Sequence, residues 1–250
     1  HGNISNYVNA KYKLILMQDK KCFAYINKKN NFLKIKIKKY KPKSKIVNVN
    51  LNNIKKLEKK INNPYFKNVN NLNNLSFIIQ YGKINKLKQK KIISTVNSFV
   101  GLKYRQEIIP NRKEITLIND SKSTSFSSSL NLLKSYKNIY WLVGGIPKKG
   151  DKFNLDKKYF KNIKAYIFSK EKIFFKKKFR NKIIFQTFNS IEKTLKKILK
   201  DIKENKIINP TILFSPAAAS FDQFNNFEDR GRYFNKLIKK ISFIKKINGK

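Results

Sequence analysis

Residues 115–145, ITLINDSKSTSFSSSLNLLKSYKNIYWLVGG, decide the fold. Ile115 to Ile118 reads as a short strand, Thr124 to Ser135 as a helix with a serine-rich start, and Ile139 to Val143 as a strand ending on Gly144-Gly145. The alternation continues downstream. Ala165 to Phe168 and Ile183 to Gln186 read as further strands, Ile191 to Ile202 as an amphipathic helix, Thr211 to Phe214 as a last strand, and Phe227 to Ile241 as a final helix. Alternating β and α elements imply an α/β fold, a Rossmann-like domain with a mainly parallel sheet covered on both faces.

Upstream, Tyr7 to Leu16 reads as a helix and Cys22 to Ile26 as a strand. Phe32 to Lys38 also reads as a strand, because Leu33, Ile35 and Ile37 alternate with lysine. Asn68 to Gln80 and Lys90 to Phe99 read as helices, and Gly101 breaks the pattern. The lysine- and asparagine-rich stretch Asn48 to Asn63 reads as solvated loops and helix faces. A domain boundary is placed near Leu102, giving segments 1–102 and 103–250.

Composition narrows the class. With 40% apolar residues, 20 Phe and 12 Tyr, the chain can build a core. No apolar run reaches the roughly 18 residues needed to cross a bilayer, and the first residues lack the apolar core of a signal peptide. Cys22 is the sole cysteine and His1 the sole histidine, which excludes an intrachain disulfide, argues against zinc and points to a reducing cytoplasm. The net charge of +44 would suit a polyanion partner. However, the lysines are spread along the whole chain, and the over-used residues Lys, Asn, Ile, Phe and Tyr share AT-rich codons, so coding bias is preferred to a specific nucleic-acid target. The chain opens on His1 and its one methionine is Met17, so a fragment or processed piece is expected.

In open α/β sheets ligands bind beyond the carboxyl ends of the strands. Three segments fall at such ends. Asn119-Asp120-Ser121-Lys122-Ser123-Thr124 joins a strand to a helix and offers a carboxylate, an ammonium, hydroxyls and a helix N-terminus; simple N-capping is the bland alternative. Gly144-Gly145-Ile146-Pro147-Lys148 lets a backbone approach a ligand and adds a cation, but it lacks the spacing of a phosphate-binding loop; a flexible turn is the alternative. Ser215 to Phe224, SPAAASFDQF, is a turn of small residues with Ser220 and Phe221, the least generic stretch of the chain. No nucleophilic triad is convincing: it would depend on His1 at the chain end, and Cys22 lacks a histidine partner.

INDSKSTS (118–125), LVGGIPKKGDKF (142–153) and SPAAASFDQFNNFEDRG (215–231) resemble, in order and spacing, the C-terminal domain of the Mur ligase family, in its D-glutamate-adding branch. GLKYRQE (101–107) is similar to the family's GL-x-HR-x-E segment, with Tyr104 for the usual histidine. KNVNNLNNLSF (67–77) is similar to HN-x-x-N-x-x-A, with Lys67 for histidine, and NYVNAKYKLI (6–15) to the NY-x-AK-x-RI helix. Almost the whole chain is covered; 27–63 aligns only by its strand pattern.

The resemblance implies that residues 1–102 are the end of a central ATP-binding domain and 103–250 a D-glutamate-binding domain. It implies ATP-dependent ligation of D-glutamate to UDP-N-acetylmuramoyl-L-alanine through an acyl phosphate, with Mg2+, by a monomeric full-length protein that needs no membrane or nucleic acid. By motif, Lys11 and Lys122 would be catalytic, Lys11 holding magnesium if carbamylated. Asn71, Arg105 and Asp120 would contact the nucleotide. Thr124, Lys148, Ser220, Phe221 and Phe227 would join Lys122 around D-glutamate. The family's GKTT loop, catalytic glutamate and metal-binding histidine would lie upstream of His1, so the chain is expected to be inactive alone. Ile146 stands where some members carry an acidic residue. Another Mur ligase or a folylpolyglutamate synthase relative, and a basic nucleic-acid-binding protein, are the alternative readings.

Overall fold

The computed structural model of the chain describes residues 4–54, 57, 59–67, 69–110 and 114–247. They fall into two compact units, His1–Phe99 and Val100–Lys250.

The first unit holds a parallel pair of strands, β1 (Phe23–Asn27) and β2 (Lys45–Val49), in register Phe23↔Lys45 to Asn27↔Val49. Parallel strands need a crossover, and it is supplied by α2 (Asn31–Tyr40), after α1 (Ile4–Leu16). The strand expected at Phe32 to Lys38 is therefore a helix. Leu33 and Ile37, four residues apart, share one helical face and pack on Tyr12, Ile15, Ala24 and Ile26, while Ile35 points away at 65% exposure. The ends are specified locally: the Asn30 side chain accepts from the Leu33 N–H, and Lys41 closes the helix with φ 41°. Two apolar residues at i and i+4 satisfied both periods, and the caps with the crossover decided between them.

The stretch Asn48 to Asn63 is also less solvated than expected, since Val49, Ile54 and Leu57 are buried. Ile54 and Leu57 pack with Leu75 and Ile79 of α3 (Val69–Ile84) and Val96 of α4 (Gln89–Ser98). Asn63 braces this cluster by donating from Nδ2 to the carbonyls of Val96 and Phe99, at 2.8 and 2.6 Å.

The second unit is built on a six-stranded sheet in the order β3-β4-β8-β5-β6-β7. The strands are β3 (Glu107–Ile109), β4 (Thr116–Asn119), β5 (Ile139–Val143), β6 (Ile163–Ile167), β7 (Ile184–Thr187) and β8 (Thr211–Phe214). Only β3 runs antiparallel to its neighbour. Successive strand residues face opposite sides. Ile118, Trp141, Val143 and Leu213 meet α5 (Phe126–Ser135) and α6 (Lys172–Phe179) on one face. Leu117, Tyr140, Leu142, Ile212 and Phe214 meet α7 (Ile191–Glu204) and α8 (Phe227–Ile247) on the other. The expected α/β architecture with a mainly parallel, doubly covered sheet is what forms.

Aromatic side chains fill both faces. Phe126 contacts the rings of Trp141, Phe153 and Phe179, and Phe214 stacks on Phe234 with centroids 4.3 Å apart. No helix among the described residues is long and apolar enough to cross a membrane.

Candidate functional site

Three neighbouring strands, β4, β8 and β5, end side by side, and the polar segments singled out in the sequence are the loops that leave them. Backbone bonds join the loops. Ile146 and Ala219 exchange a pair of N–H···O bonds at 2.9 Å each, and the Gly144 N–H donates to the Pro216 carbonyl at 3.0 Å. Gly145 has φ +126°, and a Cβ there would sit 2.2 Å from the Ala219 oxygen, so the approach of the two loops requires glycine. Asp151 reaches from the end of the β5 loop to the start of α5, where its Oδ2 accepts from the Phe126 N–H at 2.7 Å.

The β4 loop is anchored from below. Asn119 Nδ2 donates to the Gly231 carbonyl at 2.9 Å and to Asn235 Oδ1 at 2.7 Å, both on α8. Asp120 turns inward, 5% exposed, taking a hydrogen bond from Ser215 Oγ at 2.7 Å and one from the Gln106 N–H at 3.2 Å. Burial pushes its carboxyl up to about 7; the Ser215 and Gln106 hydrogen bonds and the charges of Arg105 and Arg230 oppose that rise. Arg105, beside Gln106, is exposed.

Of the residues expected around an amino-acid substrate, Lys122 and Phe227 are brought together, with Lys122 Nζ 3.8 Å from the ring centroid. Thr124, Lys148 and Phe221 are exposed at the loop surface, Phe221 at 72%. Ser220 is buried, and its carbonyl accepts from the N–H groups of Gln223 and Phe224.

Asn71 and Lys11 belong to the first unit. Asn71 is buried on α3 and donates from Nδ2 to the Tyr65 carbonyl at 2.8 Å. Lys11 is exposed on α1, with Nζ 5.6 Å from the Tyr7 ring centroid. Among the described residues no three His, Cys, Asp or Glu side chains gather into a metal site. A carbamylated Lys11 would be one oxygen ligand, whereas magnesium takes six, so the described residues do not make a magnesium site by themselves.

Sequence reading missed Arg230. Its side chain is fully buried, with Nε donating to Ser121 Oγ and Nη2 to the carbonyls of Ser121 and Ala218. One guanidinium thus braces the β4 and β8 loops, and its Nη1, which makes no hydrogen bond, faces Gly145 of the third loop. Burial lowers its pKa to about 10, which leaves it charged at neutral pH. A signal was present: a cation in the first turn of a helix opposes the helix dipole, which suggests a role outside the helix.

An open, mainly parallel sheet with helices on both faces and three tied loops at adjacent carboxyl ends is a doubly wound α/β arrangement, in which ligands generally bind at such ends. No family model matches the chain. It is 34% identical, over 96% of its length, to the UDP-N-acetylmuramoylalanine–D-glutamate ligase of Rickettsia prowazekii, 58% of which is covered. It is 31% identical, again over 96%, to the ligase of the same name from the Wolbachia of Brugia malayi, 51% of which is covered. Among solved structures, a murein peptide ligase from Psychrobacter arcticus shares the fold, at a TM-score of 0.50 and 12% identity over 92% of this chain and 54% of that one. The chain is similar in sequence to these D-glutamate ligases, and it spans a little over half the length of the curated relatives it matches.

Proposed function

We propose that this chain carries the amino-acid-binding part of an ATP-dependent ligase that joins D-glutamate to UDP-N-acetylmuramoyl-L-alanine in the cytoplasm. The observation that carries this reading is the likeness, along 96% of the chain, to curated ligases named for D-glutamate. The crevice beyond β4, β8 and β5 is where such a ligand would lie.

In that reaction ATP would phosphorylate the substrate carboxyl, and the D-glutamate amine would attack the acyl phosphate. Lys122 would sit over Phe227 and neutralise charge beside the reacting carboxyl. Lys148 would pair with a D-glutamate carboxylate, since an ammonium is an apt point charge for one. Thr124 and Ser220 would add hydrogen bonds, and Phe221 an apolar wall. Arg105, with Asn71 and Asp120, would serve the nucleotide. Lys11, if carbamylated, would supply one oxygen to magnesium. The chain contains no GxxxxGK[ST] phosphate loop, so the 250 residues alone are not proposed to activate ATP. The whole protein is proposed to act as a monomer.

Calorimetric titration of the chain with D-glutamate, L-glutamate and a diamino acid tests the substrate. Heat from D-glutamate alone is expected. Preference for the diamino acid would move the assignment to another branch of the family, and sequence-specific DNA binding that survives moderate salt would replace it.

A further inference from the structure

A file of serine hydroxyls leads from buried Asp120 to the start of α5. Ser215 Oγ donates to Asp120 Oδ2 at 2.7 Å. Ser215 Oγ lies 2.7 Å from Ser129 Oγ, Ser129 Oγ 2.7 Å from Ser123 Oγ, and Ser123 Oγ 2.8 Å from Ser128 Oγ. Ser215, Ser129 and Ser123 are buried, whereas Ser128 is exposed in the capping box of α5. The file crosses three elements: the end of β8, the first turn of α5 and the β4 loop. Trp141 Nε1, donating to the Ser215 carbonyl at 2.7 Å, fixes its inner end.

Each hydroxyl has one proton to give. An ionised carboxylate only accepts, so Ser215 must give its proton to Asp120, Ser129 to Ser215 and Ser123 to Ser129, which leaves Ser128 to choose between Ser123 and the Ser125 carbonyl. A protonated Asp120 donates instead, and the file can reverse until Ser128 gives its proton to the Ser125 carbonyl, 2.6 Å away. Other acceptors within reach are longer: the Ser215 and Ser125 carbonyls at 3.4 and 3.5 Å from Ser129 and Ser123, and Ser125 Oγ at 3.3 Å from Ser128.

We propose that Ser215, Ser129 and Ser123 are positioning residues that couple the proton on Asp120 to the direction of the hydrogen bonds at the N-terminus of α5. The turn that presents Lys122 and Thr124 then responds to the state of a carboxyl buried behind it. Burial favours the proton on Asp120, while Ser215, the Gln106 N–H, Arg105 and Arg230 favour its loss, and the balance falls at about 7. The reversal is thus set near neutral pH. The relay lies wholly within the second unit and operates whichever ligand that unit takes.

Carboxyl-carbon NMR of the chain labelled at aspartate, titrated from about pH 5 to about pH 9, tests the coupling. Ser215→Ala removes a donor to the carboxylate and is expected to raise the Asp120 midpoint by about one unit. Ser129→Ala removes no bond to Asp120, yet it is expected to raise the midpoint by about half a unit, because each hydroxyl polarises the next. The Thr124 and Ser128 amides of the unaltered chain are expected to titrate with the same midpoint. A midpoint unmoved by Ser129→Ala, or amides that ignore the Asp120 titration, would overturn the relay and leave a single local bond. The Asp201 signal, bonded to Tyr166 in the opposite core, reports folding. If Ser129→Ala loses that signal, Ser123→Ala decides by the same criterion.

Discussion

Arg230 grips Ser121 twice, Nε donating to the hydroxyl at 3.1 Å and Nη2 to the carbonyl at 2.8 Å. Nη2 also reaches the Ala218 carbonyl at 2.9 Å, so the guanidinium joins the loops after β4 and β8. A lysine has one nitrogen and could at best replace Nη2, leaving the Ser121 hydroxyl without the Nε donor. Arg230→Lys is expected to destabilise the second unit by about 2–4 kcal/mol, from lost charge-assisted bonds and unsatisfied acceptors. Trp141, the only tryptophan and fully buried in that unit, reports it by fluorescence during urea unfolding. Unchanged stability would show that the loops hold without the brace.

Asp120 gives stability a pH dependence. Its folded pKa of about 7 lies above the ordinary 3.8, so the folded state binds more protons between these values. Its contribution is fully present below pH 3.8 and is lost as pH rises through about 7. The change is on the order of 4 kcal/mol. Asp120→Asn, which cannot ionise, should flatten the stability profile across that window. Parallel profiles for the variant and the unaltered chain would assign the pH dependence to other groups.

Gly231 and Tyr104 pack too closely for a methyl group between them. A Cβ on Gly231 would sit 2.4 Å from Tyr104 Cδ1, while Tyr104 itself is held at φ 61°. Gly231→Ala is expected to cost about 2 kcal/mol or more. Tyr104 Cβ would itself lie 3.0 Å from the new methyl group, so the relieving background is Tyr104→Gly, where the same change should become neutral or favourable, since alanine gains about 1 kcal/mol over glycine in a helix. A double-mutant cycle by thermal unfolding measures the coupling; additive effects would mean that the two residues do not compete for space.

Lys148→Ala is expected to weaken D-glutamate binding roughly ten- to a hundred-fold, the cost of one charge-assisted hydrogen bond. Ser220→Ala should weaken it less, because a hydroxyl offers only a neutral bond. Titration calorimetry with each variant checks the order. Unchanged affinity in Lys148→Ala would remove the β5 loop from the amino-acid site.

The strands and helices of the second unit were legible because their signals are local. Ile139 to Val143 and Thr211 to Phe214 are apolar runs of strand length, and both form strands with those bounds. The alternation of Leu33, Ile35 and Ile37 failed for the same reason. A local period cannot see that β1 and β2 lie parallel and need a helix between them.

The sequence by itself determined the α/β class, the family likeness and the three polar segments at strand ends, all properties of neighbouring residues. The tertiary structure alone decided what those segments do to one another. Inserting β8 between β4 and β5 sets Ser215 beside Ser129, 86 positions away, and lays α8 so that Arg230 reaches Ser121 across 109. Hydrogen bonds over such separations depend on strand order, which neither hydrophobic period nor turn chemistry encodes. For that reason Asp120 could be read in the sequence as a candidate ligand group, while its burial, its shifted acidity and its file of serines were visible only after folding.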